Sequence, residues 1–314
     1  MLDGGNLVLG RKRNMKNNIL EGMFSSIVTE VLEEELGISK EAYDEANRLF
    51  EIIKTLIACK SEYKNYFIND VRVWGIQRKG DIEIFNGQFI VNYWFEFIFV
   101  KDNEELETLN YSISTEQLGY DQENNLLIIR MPIFTNGTTI VKMDNLTEKD
   151  LNDTLHHEFK HIYQKYMLSK KDENRMLQSF KDNKVYQKVT QWISTHNYDG
   201  SKLSNIFWAI YYLEPTEITA NLQMLYGEIK SNAKDKDTAL DILSDSDFID
   251  ELIVYSNLLD ELINNKIKLS DLMAVEMRIG RNKEWLIKYI RKGVNKMKQS
   301  IRKIEKLIDK EYPN

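Results

Sequence analysis

Leu155-His156-His157-Glu158-Phe159-Lys160-His161 decides how this 314-residue chain is read. In a helix, residues four apart lie on one face, about 40° from each other at roughly 100° per residue. His157 and His161 can therefore reach one metal ion, and Glu158, about 100° round, can reach a water bound to it. The flanking residues support a helix. Leu151, Leu155, Phe159, Ile162 and Tyr166 recur at three- and four-residue spacing on the side opposite the histidines. The pattern predicts a helix with one buried side and one side turned to a cleft. Thr147, three residues before Asp150, resembles a capping box and would start the helix near there. Of only four histidines in the chain, three fall within these seven residues. His156 lies outside the metal-binding face and reads as a supporting or merely polar residue.

A catalytic zinc site needs a third protein ligand and an open position. No third histidine follows closely; the fourth, His196, stands alone. A better source is Tyr211-Tyr212-Leu213-Glu214-Pro215-Thr216-Glu217, running on to Ala220 and Asn221. Pro215 suits the first turn of a helix, with Glu214 just before it and Glu217 inside it. Ala220, one turn beyond Glu217, is small enough for this helix to approach the histidine helix closely. A carboxylate in a first turn is also favoured by the helix dipole alone.

His157-Glu158-x-x-His161 followed by a helix bearing Glu217-x-x-Ala220 resembles the gluzincin branch of the zincin metallopeptidases, over roughly residues 70–230. The resemblance implies His157, His161 and Glu217 as Zn2+ ligands and Glu158 as general base, with Glu214 the second choice for third ligand. The Asn-Glu-x-x-Ser-Asp form of the thermolysin-like enzymes is absent. The expected fold is α+β and zincin-like: a small, mostly antiparallel sheet packed on an active-site helix, followed by an all-helical C-terminal part. The expected divisions are an arm over 1–18, a helical segment over 19–68, a catalytic core over 69–232 and a helical segment over 233–314. His196, Tyr211 and Tyr212 are candidates for stabilising an oxyanion, chosen by type and by nearness to Glu217. Asp153 and Asn221 are candidates for orienting the ligands.

Composition is that of a water-exposed folded chain: 29% charged and 42% hydrophobic residues, with few glycines and prolines. The single Cys59 cannot form an internal disulfide and, in an apolar helical stretch, is expected to be a buried thiol. Met1 to Gly10 lacks a signal-type apolar run and no stretch is long enough to span a membrane, so cytoplasmic synthesis is expected, with release or packaging into a particle compatible with it.

Along the chain, residues 19–36 read as a helix stopped by Gly37, and Ser39 caps a helix over about 40–66 with Tyr43, Ala46, Phe50, Ile53 and Ile57 as its stripe. From 70 to 143 the period changes to two. Ile82 and Ile84 lead to Asn86-Gly87, a hairpin signal, and Phe89 to Phe99 alternate. Leu126–Phe134 forms a further strand, either the edge that pairs with extended substrate in zincins or an interior strand. Asn136-Gly137 turns into a strand over 138–143. Helices are expected over 173–195, 203–213, 215–232 and 237–265, and Asp235–Asp247 reads as a solvated acidic turn region.

Near the C-terminus Ile287, Ile290, Val294, Met297, Ile301, Ile304 and Ile308 step by threes and fours, a coiled-coil-like seam that Gly293 weakens. It either packs on 248–264, through Ile249, Leu252, Leu259 and Ile263, or serves a homo-oligomer or protein partner through 287–308. Residues 266–314 hold 14 Lys/Arg against 6 Asp/Glu, leaving a net of −15 elsewhere in a chain of net −7. Without interleaved aromatics or a nucleic-acid motif this reads as a solvated basic face, not a nucleic-acid site. The expected function is zinc-dependent hydrolysis of peptide or protein substrates. The alternative is a structural or assembly protein that keeps a zincin-like fold with a vestigial or structural metal site; a zinc hydrolase of a non-peptide bond is a third reading.

Overall fold

A computed structural model describes residues 36–68, 71–100, 117–121, 124–134, 145–170, 184–196 and 198–313. The expected arm over 1–18, most of the helix over 19–36 and the strand over 138–143 lie outside the described residues.

Ser39 caps α1 (Lys40–Ala58) by accepting from the Ala42 N–H at 3.1 Å. Ala46, Ile53 and Ile57 are buried as expected, joined by Ala42 and Leu49, while Tyr43 and Phe50 sit at the margin. α1 ends eight residues before the expected boundary. After a single 3-10 turn the chain enters β1 (Lys64–Ile68), which pairs with β2 (Val71–Ile84), so sheet pairing overrides the helical pattern. Cys59 sits at the end of α1 and is exposed, which corrects the expected buried thiol.

β2 and β3 (Phe89–Val100) form the hairpin predicted at Asn86-Gly87, closed by the four residues Phe85–Gln88. Phe85, Asn86 and Gly87 all have positive φ, a conformation glycine and asparagine tolerate and phenylalanine resists. Phe85 is held there by burial and by stacking on Tyr166, 4.7 Å between ring centroids. β4 (Gln117–Asp121) and β5 (Leu126–Phe134) complete a five-stranded sheet of order β1-β2-β3-β5-β4. Three pairings are antiparallel; β3 and β5 run parallel. β5 is thus interior, between β3 and β4. Among the described residues β4 is the edge on that side.

α2 (Asn145–Lys170) starts before Thr147, earlier than the capping-box reading placed it. Its stripe Leu151, Leu155, Phe159, Ile162 and Tyr166 is fully buried in one apolar cluster with α1 and the sheet. A second cluster gathers α3 (Lys184–Ile193), α4 (Lys202–Tyr212), α5 (Pro215–Asn232), α6 (Lys236–Ser244), α7 (Asp247–Ile263), α8 (Leu269–Ile279) and α9 (Lys283–Glu311). The apolar side chains of 185–229 therefore pack with the C-terminal helices, not with the sheet, and the boundary expected near 232 does not divide the packing. The molecule is α+β with a mostly helical C-terminal part, and no described helix is long and apolar enough to cross a membrane.

Two helices replace the single one expected over 237–265. Asp235, read as part of a turn region, instead caps α6 by accepting from the Thr238 N–H at 2.9 Å. In the C-terminal seam Ile290, Val294, Met297, Ile304 and Ile308 are buried, mainly against α7, with Ile287 and Ile301 at the edge. On α7 the buried residues are Phe248, Tyr255, Leu258 and Leu262; Ile263, expected in that contact, is exposed. Gly293, read as a weak point, is where α9 touches α4's end: a Cβ there would lie 2.6 Å from Leu213 Cβ. Gly293→Ala should therefore lower stability by about 1–3 kcal/mol through overpacking, despite alanine's better helix propensity, as measured by urea unfolding.

Candidate metal centre

The stripe that buries one side of α2 turns His157 and His161 towards α5. α5 begins at Glu214-Pro215, and its Ala220 is fully buried where the two helices meet. Closer still is Gly227, where a Cβ would lie 2.6 Å from the His156 ring. His156 is fully buried there, stacked on Tyr43 at 4.8 Å, and neither ring nitrogen has a hydrogen-bond partner. Burial pushes its pKa down to about 4, so it is a neutral wedge between α1, α2 and α5.

This approach delivers Glu217 to the histidines. The Nε2 atoms of His157 and His161 lie 3.1 Å apart, and each is 3.5 Å from Glu217 Oε2. Ligand atoms about 2.1 Å from a tetrahedral ion sit about 3.4 Å from one another, so the three form one face of such a polyhedron. Glu217 is buried and its Oε2 accepts no hydrogen bond. Its Oε1 accepts from the Tyr186 hydroxyl at 2.9 Å. His161 Nδ1 lies 3.3 Å from Gln164 Oε1, and Gln164 Nε2 donates to Thr219 Oγ1 at 3.0 Å. That chain can fix the tautomer that leaves Nε2 as the ligand atom. An orphaned buried carboxylate oxygen facing two imidazole nitrogens is the donor set a zinc ion fits, and the three residues form the metal-competent cluster among the described residues.

The electrostatics agree. Burial raises Glu217, but the two imidazoles outweigh it and hold its carboxyl well below the usual range. Burial lowers His161, but Glu217, with Glu158 beyond it, lifts the imidazole to about 9. Each group favours the other's charged form, so a positive charge between them is stabilised. Burial, then the Glu217 charge, pushes Tyr186 and Tyr211 upward, so both hydroxyls remain protonated donors.

The remaining candidates sort by position. Glu158 borders the site and its Oε2 accepts from the Tyr120 N–H of β4 at 2.7 Å. Glu214, the alternative third ligand, caps α5 by accepting from the Thr216 N–H at 2.6 Å and also from the Thr216 hydroxyl. Tyr211, Tyr212 and Asn221 line a cavity of about 270 Å³ with His157 and Glu217. His196 is exposed, stacked on Trp192 at 4.5 Å, and does not line that cavity, so its candidacy for the oxyanion lapses. Asp153 pairs with Lys149 at 3.3 Å. Sequence reasoning missed Tyr186, Gln164 and the β4 edge. Gln164 was discoverable, three residues after His161 on one helix; nothing in the sequence marks the other two.

No family model, curated protein or solved structure matches this chain.

Elemental analysis of untagged protein should find about one zinc per chain. His157→Ala and Glu217→Ala should lose it and Glu214→Ala should keep it. Tyr186→Phe should weaken zinc affinity about 10–100-fold, the usual consequence of losing a partner of a ligating carboxylate, as measured by competition with a chromophoric chelator.

Proposed function

We propose that the chain is a zinc-dependent metallopeptidase of zincin-like, gluzincin-type design. The observation that carries this reading is the convergence of His157, His161 and Glu217 beside Glu158. When bound by these residues, a zinc ion supplies Lewis acidity towards a carbonyl oxygen and lowers the pKa of a water towards neutrality.

Glu158 takes a proton from the attacking water and returns it to the leaving amine, so the carboxylate ends each cycle unchanged. The Tyr120 N–H, 2.7 Å from Oε2, holds the carboxylate in place. Tyr120 pairs with Leu127 across β4 and β5, yet its N–H is aimed at Glu158 and not at β5. The outer edge of β4 thus runs beside the reacting centre, where an extended peptide could add as a further strand. Tyr211, in the cavity wall and kept protonated by burial, is the better donor to a developing oxyanion; Tyr212 is the second.

An assembly protein with a structural metal would lean on the 287–308 seam. That reading has less support, because the seam's buried residues pack against α7 within the chain. A homo-oligomer would need other surfaces.

Glu158→Gln should retain zinc and lose about 10²–10⁴-fold in kcat, the range for a general base, in a quenched-fluorescent peptide assay. Tyr211→Phe should lose about 10²-fold in kcat with KM little changed. Hydrolysis undiminished in Glu158→Gln would sink the assignment.

A further inference from the structure

Aromatic rings continue past the cavity beside the histidines. Tyr211 and Tyr212 form part of its wall. Trp208, one turn earlier on α4, stacks on Tyr212 at 5.4 Å and meets Tyr211 edge-on at 6.0 Å. Residues 208 and 212 are four apart, so α4 presents both on one side. Tyr198, in the turn before α4, lies edge-on to Trp208 at 6.4 Å. Neither Trp208 nor Tyr198 lines the cavity, and Tyr198 is 58% exposed, so the rings lead from the cavity wall to the surface.

Core packing does not account for the two outer rings. Tyr211 and Tyr212 pack against the apolar cluster of the helical half. Trp208, half-buried, and Tyr198 join neither that cluster nor the one beside the sheet. The indole N–H of Trp208 is buried without a hydrogen-bond partner, so no polar tie explains that ring either. Tyr198 is nonetheless fixed. Its hydroxyl donates to Asn205 Oδ1 of α4 at 2.7 Å. The turn behind it is held by Ser201, whose N–H donates to Asp199 Oδ1 at 2.9 Å and whose hydroxyl caps α4 by accepting from the Ser204 N–H. An exposed ring held in one place adds little to the fold, but it can bind an apolar ligand with little loss of conformational freedom.

Continuity with the cavity says what covers these rings. From Tyr212 to Trp208 and on to Tyr198 the ring-to-ring steps are 5.4 and 6.4 Å. An extended chain covers that reach in about three or four residues at about 3.3 Å each. A peptide lying over the cavity therefore brings a side chain to Trp208 and Tyr198 without leaving extended form.

We propose that Trp208 and Tyr198 form a subsite for a large apolar side chain of the peptide substrate, an aromatic one best, about three or four residues beyond the cavity. The inference rests on the peptidase reading only in taking the ligand to be a peptide.

Binding is measured by fluorescence anisotropy on the zinc-loaded, full-length Glu158→Gln chain, so that hydrolysis does not intervene. The probes are labelled peptides of glycine, alanine and serine that carry one phenylalanine, or serine in its place. The phenylalanine peptide should bind at least about tenfold tighter, and adding Tyr198→Ser or Trp208→Leu should each cut that ratio at least about threefold. Affinity for the serine peptide should not change. Tyr198→Ser removes an exposed ring and guards against a misfolded Trp208 variant. Equal binding of the two peptides, no binding of either, or a preference undiminished in Tyr198→Ser overturns the subsite. A dimer in sedimentation velocity that Tyr198→Ser disperses assigns the rings to a second copy and also overturns it. A wild-type chain that shows this preference but cleaves nothing sinks the peptidase reading alone; cleavage indifferent to the phenylalanine and to both substitutions sinks only the subsite.

Discussion

The close approach of α2 and α5 is the constraint on which the site depends. Glu217 reaches two imidazoles on another helix only because small residues let the helix backbones come together. Ala220 is fully buried at the contact, and Gly227 leaves room for the His156 ring. On its far side that ring stacks on Tyr43 of α1. One aromatic wedge thereby ties three helices together at the residue preceding His157. Leaving its nitrogens unpaired costs stability, which the apolar packing of α2 against α1 and the sheet must offset.

Polar groups around Glu217 are arranged to make it a strong anion in a place where anions are unfavourable. One oxygen is satisfied by Tyr186, and the other is left to the histidine side. Gln164 and Thr219 form a hydrogen-bonded bridge from α2 back to α5, so the helices that carry His161 and Glu217 also fix one another's orientation. Such support decides whether ligand atoms sit at a coordination distance or an ångström too far.

The helical half serves as a frame for α5 and as a wall for the cleft. α9 packs its seam on α7 and passes close over Leu213 at Gly293, just before α5 begins. Two ion pairs tie the end of α9 to the body through its acidic residues, Glu311 to Lys230 of α5 and Asp309 to Lys236 of α6. Exposed pairs of this kind contribute roughly 0.2–1 kcal/mol each. The apolar seam therefore does most to hold the helix in place.

The sequence by itself determined the histidine helix. Its two periodic faces are local: five apolar residues at helical spacing were bound to seek a core, and His157, Glu158 and His161 were bound to share the other side. It also determined the 85–88 hairpin, strand β5 and the extent of α5, each marked by turn or cap residues acting within a few positions. Only the tertiary structure shows that Glu217, and not Glu214, faces the two histidines. Both stand at one helix start, and what separates them is that Glu214 is consumed in capping while Glu217 faces another helix. The same holds for β4 as the edge beside Glu158 and for Tyr186. Each joins residues far apart in sequence, and no local period encodes a long-range contact. Where local pattern and pairing competed, as at residues 59–68, pairing prevailed, because a strand's backbone hydrogen bonds are satisfied by a neighbour that the local sequence does not specify.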